Sequence, residues 1–286
     1  MNLNLNNVTF IIVSFKSEKV IYDCLDSLPN SSNKIIIDNS KDIHLKKDLE
    51  IKYDNIEVIL NENLGMGASN NIGIKRSKTQ FAYILNPDIT FESNSFSKLV
   101  DSVKKLNDFA IISPMNSDLN FPNYKKNSKK DIFDEDIIEV DTIDGFSMLI
   151  NKEKFKNNNF FDENFFLYLE NDDLCLRMKK SNEKLFIIKN SLINHLGASS
   201  SSNHQLKEIE YLRNWHWMWS KFYYNKKHYG FFKAFFKIFN NLLSASIKFI
   251  YYLITLNPHK KKIYKMRISG LVNSIIGNKS YYRINY

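Results

Sequence analysis

An aspartate at the end of a short apolar run is the first residue in this chain with a chemical interpretation. Phe81–Leu85 has the length and composition of a buried parallel strand, and Asn86, Pro87 and Asp88 follow it directly. In an open α/β sheet the ligand crevice lies at the carboxyl ends of the strands, so Asp88 is the first candidate for a residue that takes part in chemistry. The same three residue types also favour an ordinary turn, which is the competing interpretation.

A second acidic group lies within residues 160–180, where aromatic residues lead into the start of a predicted helix. Glu170 and Asp173 are three positions apart and therefore share a helix face. An apolar wall beside such a carboxylate would raise its pKa toward the range that suits a general base. Acidic residues at a helix start can also be simple caps that complement the helix dipole. The expected wall consists of Phe165, Phe166 and Tyr168.

His195 is the third candidate, and it follows two short predicted strands. These strands are Lys184–Ile188 and Ser191–Asn194. A lone histidine after a strand is more often structural than a ligand, so its importance depends on the groups that lie beside it.

The elements before these residues alternate between strand and helix. Apolar residues at helical spacing predict a helix over Glu18–Leu28, between the first two strands. This alternation favours a doubly wound, mostly parallel sheet, with Ser14, Asp38 and Asp88 near the carboxyl ends of three strands. The predicted strands are Val8–Ser14, Lys34–Asp38, Ile56–Leu60 and Phe81–Leu85.

A loop rich in glycine and asparagine, Asn61–Gly73, precedes the last of these strands. Its glycines do not follow the first strand and have the wrong spacing for a dinucleotide fingerprint, which argues against a Rossmann dehydrogenase. Small residues let a backbone approach a nucleotide or its diphosphate, and the amides of Asn63, Asn70 and Asn71 could donate hydrogen bonds to it.

The middle of the chain is less regular. Polar and charged residues over Asn116–Glu139 predict a loop or insertion near the site. A strand is expected over Ile143–Ile150, and Gly145 inside it would mark the close approach of another backbone or a ligand. The preceding elements are a helix over Ser93–Leu106 and a strand over Ala110–Ser113.

Composition places the chain among folded proteins. With 286 residues, 43% of them hydrophobic, it can bury one large core, or one core with an appendage. Cys24 and Cys175 each lie in an apolar helical pattern, which indicates reduced thiols rather than a disulfide. The first ten residues lack the features of a secretory signal, so we expect a cytoplasmic protein.

Positive charge is concentrated in the last third of the chain. Residues 203–286 contain 15 Lys and Arg against 2 Asp and Glu, a net charge of +13, whereas residues 1–202 carry −4. His204–Tyr224 is helical and aromatic, which suits core packing or an interface. Phe231–Leu256 has no charge-free run near the ~20 residues of a spanning helix.

The polar residues of Phe231–Leu256 step mostly by three or four and form a narrow stripe on a wide apolar helix. This pattern is typical of a helix in a membrane interface, and packing against the rest of the chain is the alternative. A basic cluster after Pro258 would suit anionic lipid head groups. Nucleic acid is a competing partner, but no recognition motif accompanies the cluster, so none is expected. The cluster is His259, Lys260, Lys261, Lys262, Lys265 and Arg267.

Seven segments occur in a fixed order along residues 8–202: VSF, DNS, NLGMGASNNIG, NPD, DGFSMLI, FDENFFLYLENDDLCLR and His195. Each alone is weak, but as an ordered set they resemble the inverting family-2 glycosyltransferases, rhamnosyltransferase-like branch. The resemblance implies an α/β, nucleotide-diphospho-sugar transferase (A-type glycosyltransferase) fold, with a mostly parallel central sheet flanked by helices, plus C-terminal amphipathic helices. It divides the chain into a catalytic domain over residues 1–202 and a membrane-attached helical region over 203–286.

The resemblance also implies a donor site. Asp88 would bind a divalent cation, Mg²⁺ or Mn²⁺, with His195 as a second ligand. Val13 to Phe15 would line the nucleotide base, and Asp38 would bond its pyrimidine edge. The expected nucleotide-sugar contacts are Val13, Ser14, Phe15, Asp38, Asn39, Asn63, Gly65, Asn71, Asn86, Asp88 and Gly145.

The chain departs from the family pattern at the expected base. The family reads Glu-Asp-x-Asp, and its second residue takes the proton of the acceptor hydroxyl, but Asn171 stands there. An amide cannot accept that proton. Glu170 is our first candidate for the base, ahead of Asp172, with Asp173 as the residue that orients it.

The implied activity is transfer of a sugar from a nucleotide-diphosphate donor, dTDP-rhamnose or a UDP-sugar, to a lipid-linked saccharide at the inner face of the cell membrane. O-antigen or capsule synthesis would be its setting. Two alternatives remain open at this point. Asn171 would also suit a catalytically impaired membrane scaffold, and the basic end of the chain would suit a nucleic-acid-binding protein.

Overall fold

The computed structural model describes residues 3–126, 132–197 and 203–284. The chain forms two compact units, Met1–Asp162 with Glu170–Ser200, and Glu163–Leu169 with Ser201–Tyr286. The second unit thus includes a short segment from the middle of the sequence, which the expected division had placed in the first domain. The expected boundary at residues 202 and 203 adjoins residues 198–202, which lie outside the described part.

Four parallel strands form one half of the main sheet. They are β1 (Val8–Ser14), β2 (Asn33–Asp38), β3 (Ile56–Leu60) and β4 (Phe81–Leu85). Their spatial order is β3-β2-β1-β4. Every residue of β1 and β4 is buried, as expected for strands that are covered on both faces. Parallel pairing brings all four carboxyl ends to one edge, where the polar residues follow.

Four helices accompany this half: α1 (Ile21–Asp26), α2 (Ile43–Lys52), α3 (Met66–Arg76) and α4 (Ser95–Val103). The first and the fourth are shorter than the sequence predicts. The sequence did not predict α2, because only Leu45 and Leu49 are buried in it, and its other apolar residues, Ile43 and Ile51, are exposed. Two buried residues one turn apart give too weak a periodicity to identify a helix.

The other half of the sheet is mixed. The remaining strands are β5 (Ile89–Phe91), β6 (Ile111–Asn116), β7 (Tyr124–Lys125), β8 (Ile132–Asp134), β9 (Ile137–Glu139), β10 (Thr142–Ile143), β11 (Ser147–Asn151) and β12 (Leu185–His195). Strand β11 joins the two halves and is antiparallel to both of its neighbours, β4 and β6. The whole order is β3-β2-β1-β4-β11-β6-β12-β9-β8, with β5 on β12 and a separate β10-β7 pair.

Three predictions need correction here. The segment Asn116–Glu139, expected to be a loop, contains the short strands β7 to β9, although residues 127–131 lie outside the described part. Gly145 is not inside a strand, because β10 pairs with β7 in the small sheet and the chain bends before β11 joins the main one. The two strands expected around residues 184–194 are one strand with an irregularity between Ile188 and Leu192.

Alternation along the strands builds a core on each face of the sheet. Phe10 and Ile12 of β1 belong to one buried cluster, whereas Ile11 between them belongs to the other. Helix α5 (Glu170–Lys180) packs on the second face through Leu174, Cys175 and Met178. The first turn of α5 carries the acidic residues of the candidate site, so this packing fixes their position.

The second unit consists mainly of α6 (Asn203–Tyr229), α7 (Phe231–Ile254) and α8 (Pro258–Ile275). Trp215 and Trp219 of α6 are buried, whereas Trp217 is 40% exposed, so the aromatic residues serve largely as core. Gly270 lets α8 approach the backbone of Trp215, where any side-chain carbon would overlap the carbonyl group. Along the described chain, none of the helices is both long enough and apolar enough to cross a membrane.

We expect Gly73→Ala to destabilise the first unit by about 1–3 kcal/mol, since overpacking a buried contact carries a cost of this size. An added Cβ would overlap Cγ2 of the fully buried Ile11. Gly67→Ala, in the same helix, is the matched control because its Cβ would lie 3.1 Å from Phe161 Cβ, a contact that a small shift relieves. Urea unfolding should show the larger loss for Gly73→Ala, and equal midpoints would contradict this packing.

Candidate active site

Polar side chains join the carboxyl ends of β1, β2 and β3. The Asn39 N–H donates to the Ser14 carbonyl oxygen (2.8 Å), and Asn39 Oδ1 accepts from Asn61 Nδ2 (3.0 Å) and Ser69 Oγ (2.9 Å). Ser14 is fully buried, and its Oγ has no hydrogen-bond partner. The polar edge that the sequence predicts is therefore a connected hydrogen-bond network, with a buried hydroxyl oxygen beside it that has no partner.

Asp38 lies beside Asn39 and is fully buried. Its Oδ1 accepts from the Ser40 N–H (3.3 Å) and Ser40 Oγ (2.6 Å), and its Oδ2 accepts from the Asp42 N–H (2.6 Å). These bonds close the turn after β2. Contact between Asp38 and a pyrimidine stays a prediction, and it would use the remaining acceptor capacity of the carboxylate.

Two other residues expected at the donor have structural roles. Asn71 is buried, and its amide makes both hydrogen bonds with the Phe161 backbone, at 2.9 and 3.0 Å, so it ties α3 to the segment before α5. Val13 packs with Ile35 and Ile37 in an apolar cluster beside α3. Phe15, which follows the buried end of β1, is half-buried.

Asn63 and Gly65 shape the start of α3. The Gly65 N–H donates to Asn63 Oδ1 (3.2 Å), and Gly65 adopts a φ of +92°, a conformation that favours glycine. No side chain caps the first turn of α3. The N–H groups of such a helix start suit an anion, and a diphosphate is the ligand that the sequence predicts at this place.

Strand β5 brings Asp88 and His195 together. It begins directly after Asp88 and pairs antiparallel with the end of β12, which places Ile89 opposite His195. Asp88 Oδ2 lies 3.3 Å from His195 Nε2, and the Leu196 N–H donates to the Asp88 carbonyl oxygen (3.1 Å). The two candidates that stand 107 positions apart in the sequence are neighbours because of a strand that we did not predict.

Phe146 and Asn86 complete the surroundings of this pair. The Phe146 ring stacks on the His195 imidazole, with 4.4 Å between centroids, and its carbonyl oxygen accepts from the Asn86 N–H (2.9 Å). Asn86 Oδ1 is buried without a hydrogen-bond partner. Packing therefore fixes the ring orientation of His195. The unpaired Oδ1 belongs to Asn86, two positions before Asp88 in the sequence.

The acidic residues at the start of α5 differ in their ion-pair and hydrogen-bond partners. Asp173 is fully buried and pairs with Arg177 Nε (2.9 Å), whose guanidinium also donates to the carbonyl oxygens of Asn159 and Phe160. Asp172 lies 3.4 Å from Lys125 Nζ. Asp173 therefore clamps the segment before α5, and Asp172 is held in an ion pair.

Glu170 is the third acidic residue at the start of α5, and one of its carboxylate oxygens is unpaired. This oxygen, Oε2, is buried and accepts no hydrogen bond. Burial raises the pKa of Glu170 to about 7, and the Asp172 charge adds to the increase. The rise in pKa matches the expectation, but Phe165, Phe166 and Tyr168 belong to the second unit, where they pack on residues of α6.

Asn171 stabilises the strand that precedes Gly145. Its Nδ2 donates to the Ile143 carbonyl oxygen (3.1 Å), and a Cβ on Gly145 would lie 3.3 Å from Asn171 Cβ. The close approach expected at Gly145 is therefore to a side chain of α5. Asp144, between these two backbone positions, interacts electrostatically with Asp172, Lys125 and His195, and sequence reasoning missed it. The only available indication was its place beside Gly145 in the DGFSMLI segment.

Buried oxygens without partners concentrate in these elements. Among the described residues, eight buried side-chain polar atoms lack a hydrogen-bond partner, and four of them belong to the candidate site. Leaving such an atom unpaired costs about 1–3 kcal/mol, so the arrangement fits a polar ligand that would supply the missing donors. The four are Ser14 Oγ, Asn70 Oδ1, Asn86 Oδ1 and Glu170 Oε2.

The chemistry of Asp88 and His195 fits a divalent cation that is bound together with a diphosphate. The pair offers a carboxylate oxygen and an imidazole nitrogen side by side. In the described ranges, no three His, Cys, Asp or Glu side chains converge as a metal site. Mg²⁺ and similar cations in nucleotide sites commonly use one or two protein ligands and complete their shell with phosphate oxygens and water. Two protein ligands are therefore sufficient.

Comparison with known proteins identifies the family and agrees with the fold. The family described as Glycosyl transferase family 2 matches residues 9–185, more than half of the chain. Rhamnosyltransferase WbbL of Escherichia coli K12 is 30% identical over 213 residues, which cover 63% of this chain and 80% of WbbL. The low-salt glycan biosynthesis hexosyltransferase Agl10 of Haloferax volcanii is 24% identical over 197 residues, which cover 62% of this chain and 63% of Agl10.

A solved structure supports the fold. The mannosyltransferase PcManGT from Pyrobaculum calidifontis, in complex with GDP-Man and Mn²⁺, superposes with a TM-score of 0.55 at 12% identity, over 94% of this chain and 86% of that one. At this identity the likeness concerns the fold alone, and it agrees with the expected A-type architecture. The family match over residues 9–185 shows that the chain belongs to glycosyl transferase family 2, and the similarity to WbbL shows that it is a glycosyltransferase that resembles a rhamnosyltransferase.

Proposed function

We propose that the protein is an inverting, metal-dependent hexosyltransferase that acts in surface-glycan synthesis. The observation that carries this proposal is the Asp88–His195 pair, 3.3 Å apart, in a site with four buried oxygens that lack partners. Rhamnose from dTDP-rhamnose is the first candidate donor, because a rhamnosyltransferase is among the relatives, and a UDP-sugar is the second. The acceptor would be a lipid-linked saccharide, as in O-antigen or capsule assembly.

On the donor side, Asp88 and His195 would hold Mg²⁺ or Mn²⁺, while the start of α3 and the amide of Asn63 would face the diphosphate. The bound cation would neutralise the charge that develops on the departing diphosphate. Asn86 and Ser14 would satisfy their buried oxygens with hydroxyl or N–H donors of the nucleotide sugar. PcManGT, of the same fold, was solved with GDP-Man and Mn²⁺, which supports a cation in this role.

On the acceptor side, Glu170 would take the proton of the attacking hydroxyl. Asp173 is held by Arg177 and Asp172 by Lys125, whereas Glu170 Oε2 has no partner. A pKa of about 7 suits a group that must be ionised before reaction and must accept a proton during it. Direct displacement with one base inverts the anomeric configuration of the sugar.

The second unit would hold the enzyme at the inner face of the cell membrane. One face of α7 packs inside the unit through Ala234, Ile238 and Ala245, which are buried. The opposite face exposes an apolar stripe at helical spacing, with Phe232 78% and Phe236 75% exposed. A stripe of this kind suits the boundary between lipid head groups and acyl chains. The stripe consists of Phe232, Phe236, Phe239, Leu243, Ile247, Ile250 and Ile254.

The basic cluster contributes less to this surface than the sequence suggests. Lys262 pairs with Glu208 (2.9 Å), and His259 contacts both Glu210 (3.1 Å) and Tyr211 (2.8 Å). These two residues therefore hold α8 to α6 inside the unit. The lysines that would meet anionic head groups are Lys233, Lys237, Lys248, Lys260, Lys261 and Lys265.

Removal of the Asp88 carboxylate should abolish cation-dependent turnover. We expect Asp88→Asn to lower kcat at least about 100-fold, since loss of one group that stabilises developing charge has an effect of this size. Hydrolysis of dTDP-rhamnose and UDP-sugars with added Mn²⁺ measures it. Asp101→Asn, which alters an exposed ion pair with Lys104, is the control and should be unaffected. If the wild-type protein hydrolyses none of the donors, the proposed activity is wrong.

The rate of transfer should depend on the ionisation of Glu170. Its pKa is raised to about 7, so the carboxyl group is protonated and inactive as a base below that value, and kcat should fall about tenfold per unit as the pH drops further. Glu170→Gln should lower kcat roughly 10²- to 10⁴-fold and remove this limb of the profile. Glu18→Gln, at an exposed position, is the control. Full activity in Glu170→Gln would exclude Glu170 as the base.

Substitution of the α7 stripe should release the protein from lipid. We expect the full-length chain to float with vesicles that contain phosphatidylglycerol, and the triple variant Phe232→Ser, Phe236→Ser, Ile247→Ser to remain in solution. These side chains are exposed, so the variant should keep its melting temperature. Ile51→Ser, at an 85% exposed position of α2, is the matched control and should still float. Equal flotation of wild type and triple variant would refute the proposed attachment.

A further inference from the structure

We propose that Asp144, Lys125 and Asp172 form the subsite for the terminal sugar of the acceptor, and that this sugar is neutral and binds through its hydroxyl groups. The inference rests on the proposed function, because an acceptor subsite has meaning only in a transferase. It names a part of the substrate that the relatives do not define. All three residues belong to the first unit: Lys125 lies in β7, Asp172 in α5, and Asp144 in the turn between β10 and β11.

The backbone places Asp144 near the Asp88–His195 pair. The Asp144 N–H donates to the Asn123 carbonyl oxygen (2.8 Å), at the end of the small β10-β7 sheet. Two residues later, Phe146 stacks on His195. Asp144 interacts electrostatically with both His195 and Asp172. It is therefore close enough to the Asp88–His195 pair and to the first turn of α5 to feel the charges of both.

Asn171 fixes this arrangement. Its amide donates to the Ile143 carbonyl oxygen. The Ile143 N–H donates to Sγ of Cys175, one turn along α5, with 3.4 Å between nitrogen and sulfur. Gly145 allows the backbone to pass directly against Asn171, because a side chain there would be crowded. The amide at position 171 thus keeps Asp144 in register with α5.

Lys125 and Asp172 form the open side of the cluster. Their charged atoms lie 3.4 Å apart, and the Lys125 side chain is 63% exposed, so a second substrate can reach them from solvent. Lys125 also interacts with Asp144. A second observation points to a ligand near this cluster. Glu170 Oε2, two residues before Asp172, is buried without a hydrogen-bond partner, and Glu170 interacts electrostatically with Asp172.

The chemistry of the cluster selects the class of ligand. Two carboxylates and one ammonium group offer acceptors and donors to vicinal hydroxyls, and a hydroxyl between the cluster and Glu170 could supply the missing donor. The cluster carries a net charge of −1 when ionised, which disfavours a phosphate or a uronic acid. A neutral sugar is therefore the acceptor end group that fits.

The test compares acceptors of different charge on the full-length enzyme. Octyl glycosides of N-acetylglucosamine, galactose and mannose serve as neutral probes, and octyl glucuronide and octyl phosphate serve as anionic ones. We expect transfer to at least one neutral glycoside. In Asp144→Asn, the acceptor kcat/KM should fall about 10- to 100-fold through KM, as expected for loss of a charged hydrogen bond, while the KM for the donor changes less than threefold. Asp141→Asn, which alters the ion pair with Lys179, is the control.

Four results would overturn the subsite. They are a preference for the anionic probes, no transfer to any neutral glycoside by an enzyme that hydrolyses its donor, an unchanged acceptor KM in Asp144→Asn, and a fall of kcat at saturating acceptor with KM unchanged. The last would make Asp144 the base instead. Failure of the proposed function is distinct, because the wild-type protein would then hydrolyse no donor.

Discussion

The antiparallel pairing of β5 with the end of β12 is the contact on which the candidate site depends. It is only three residues long, yet it sets Ile89 opposite His195 and so brings the imidazole to Asp88. The pairing also fixes the backbone on both sides of the pair, through the Leu196 N–H. Without it, the carboxylate at the end of β4 would have no imidazole beside it.

In the first unit, the polar residues of the candidate site lie beside a large apolar core. Both faces of the sheet are covered, so oxygens at its carboxyl edge are removed from water and become costly unless they are paired. Asn39 and Asn71 solve this by bonding within the protein, whereas Ser14 and Glu170 leave oxygens unpaired. Binding of a polar ligand would explain why the oxygens of Ser14 and Glu170 lack partners. For Glu170, the same burial raises the pKa of the carboxyl group toward the range that suits a general base.

The second unit shows the opposite arrangement, in which an apolar surface is left in water. Ala234, Ile238 and Ala245 of α7 face inward, whereas several large aromatic and aliphatic side chains of the same helix are exposed. An exposed apolar surface of this extent marks an interaction site, and the lysines along the helix support the proposal that its partner is a lipid surface. Such attachment would bring the enzyme to the proposed lipid-linked acceptor.

Sequence alone determined the strands β1 to β4, the acidic start of α5 and the family, because apolar runs, turn residues and ordered motifs are local properties of the chain. It could not determine which polar residues meet. The electrostatic interactions of Asp144, the hydrogen bonds of Asn71 to Phe161 and the packing of Val13 appear only once helices and strands are placed against each other. The physical reason is that hydrogen-bond partners, burial and the resulting pKa values depend on contacts between distant segments, and a sequence pattern does not contain those distances.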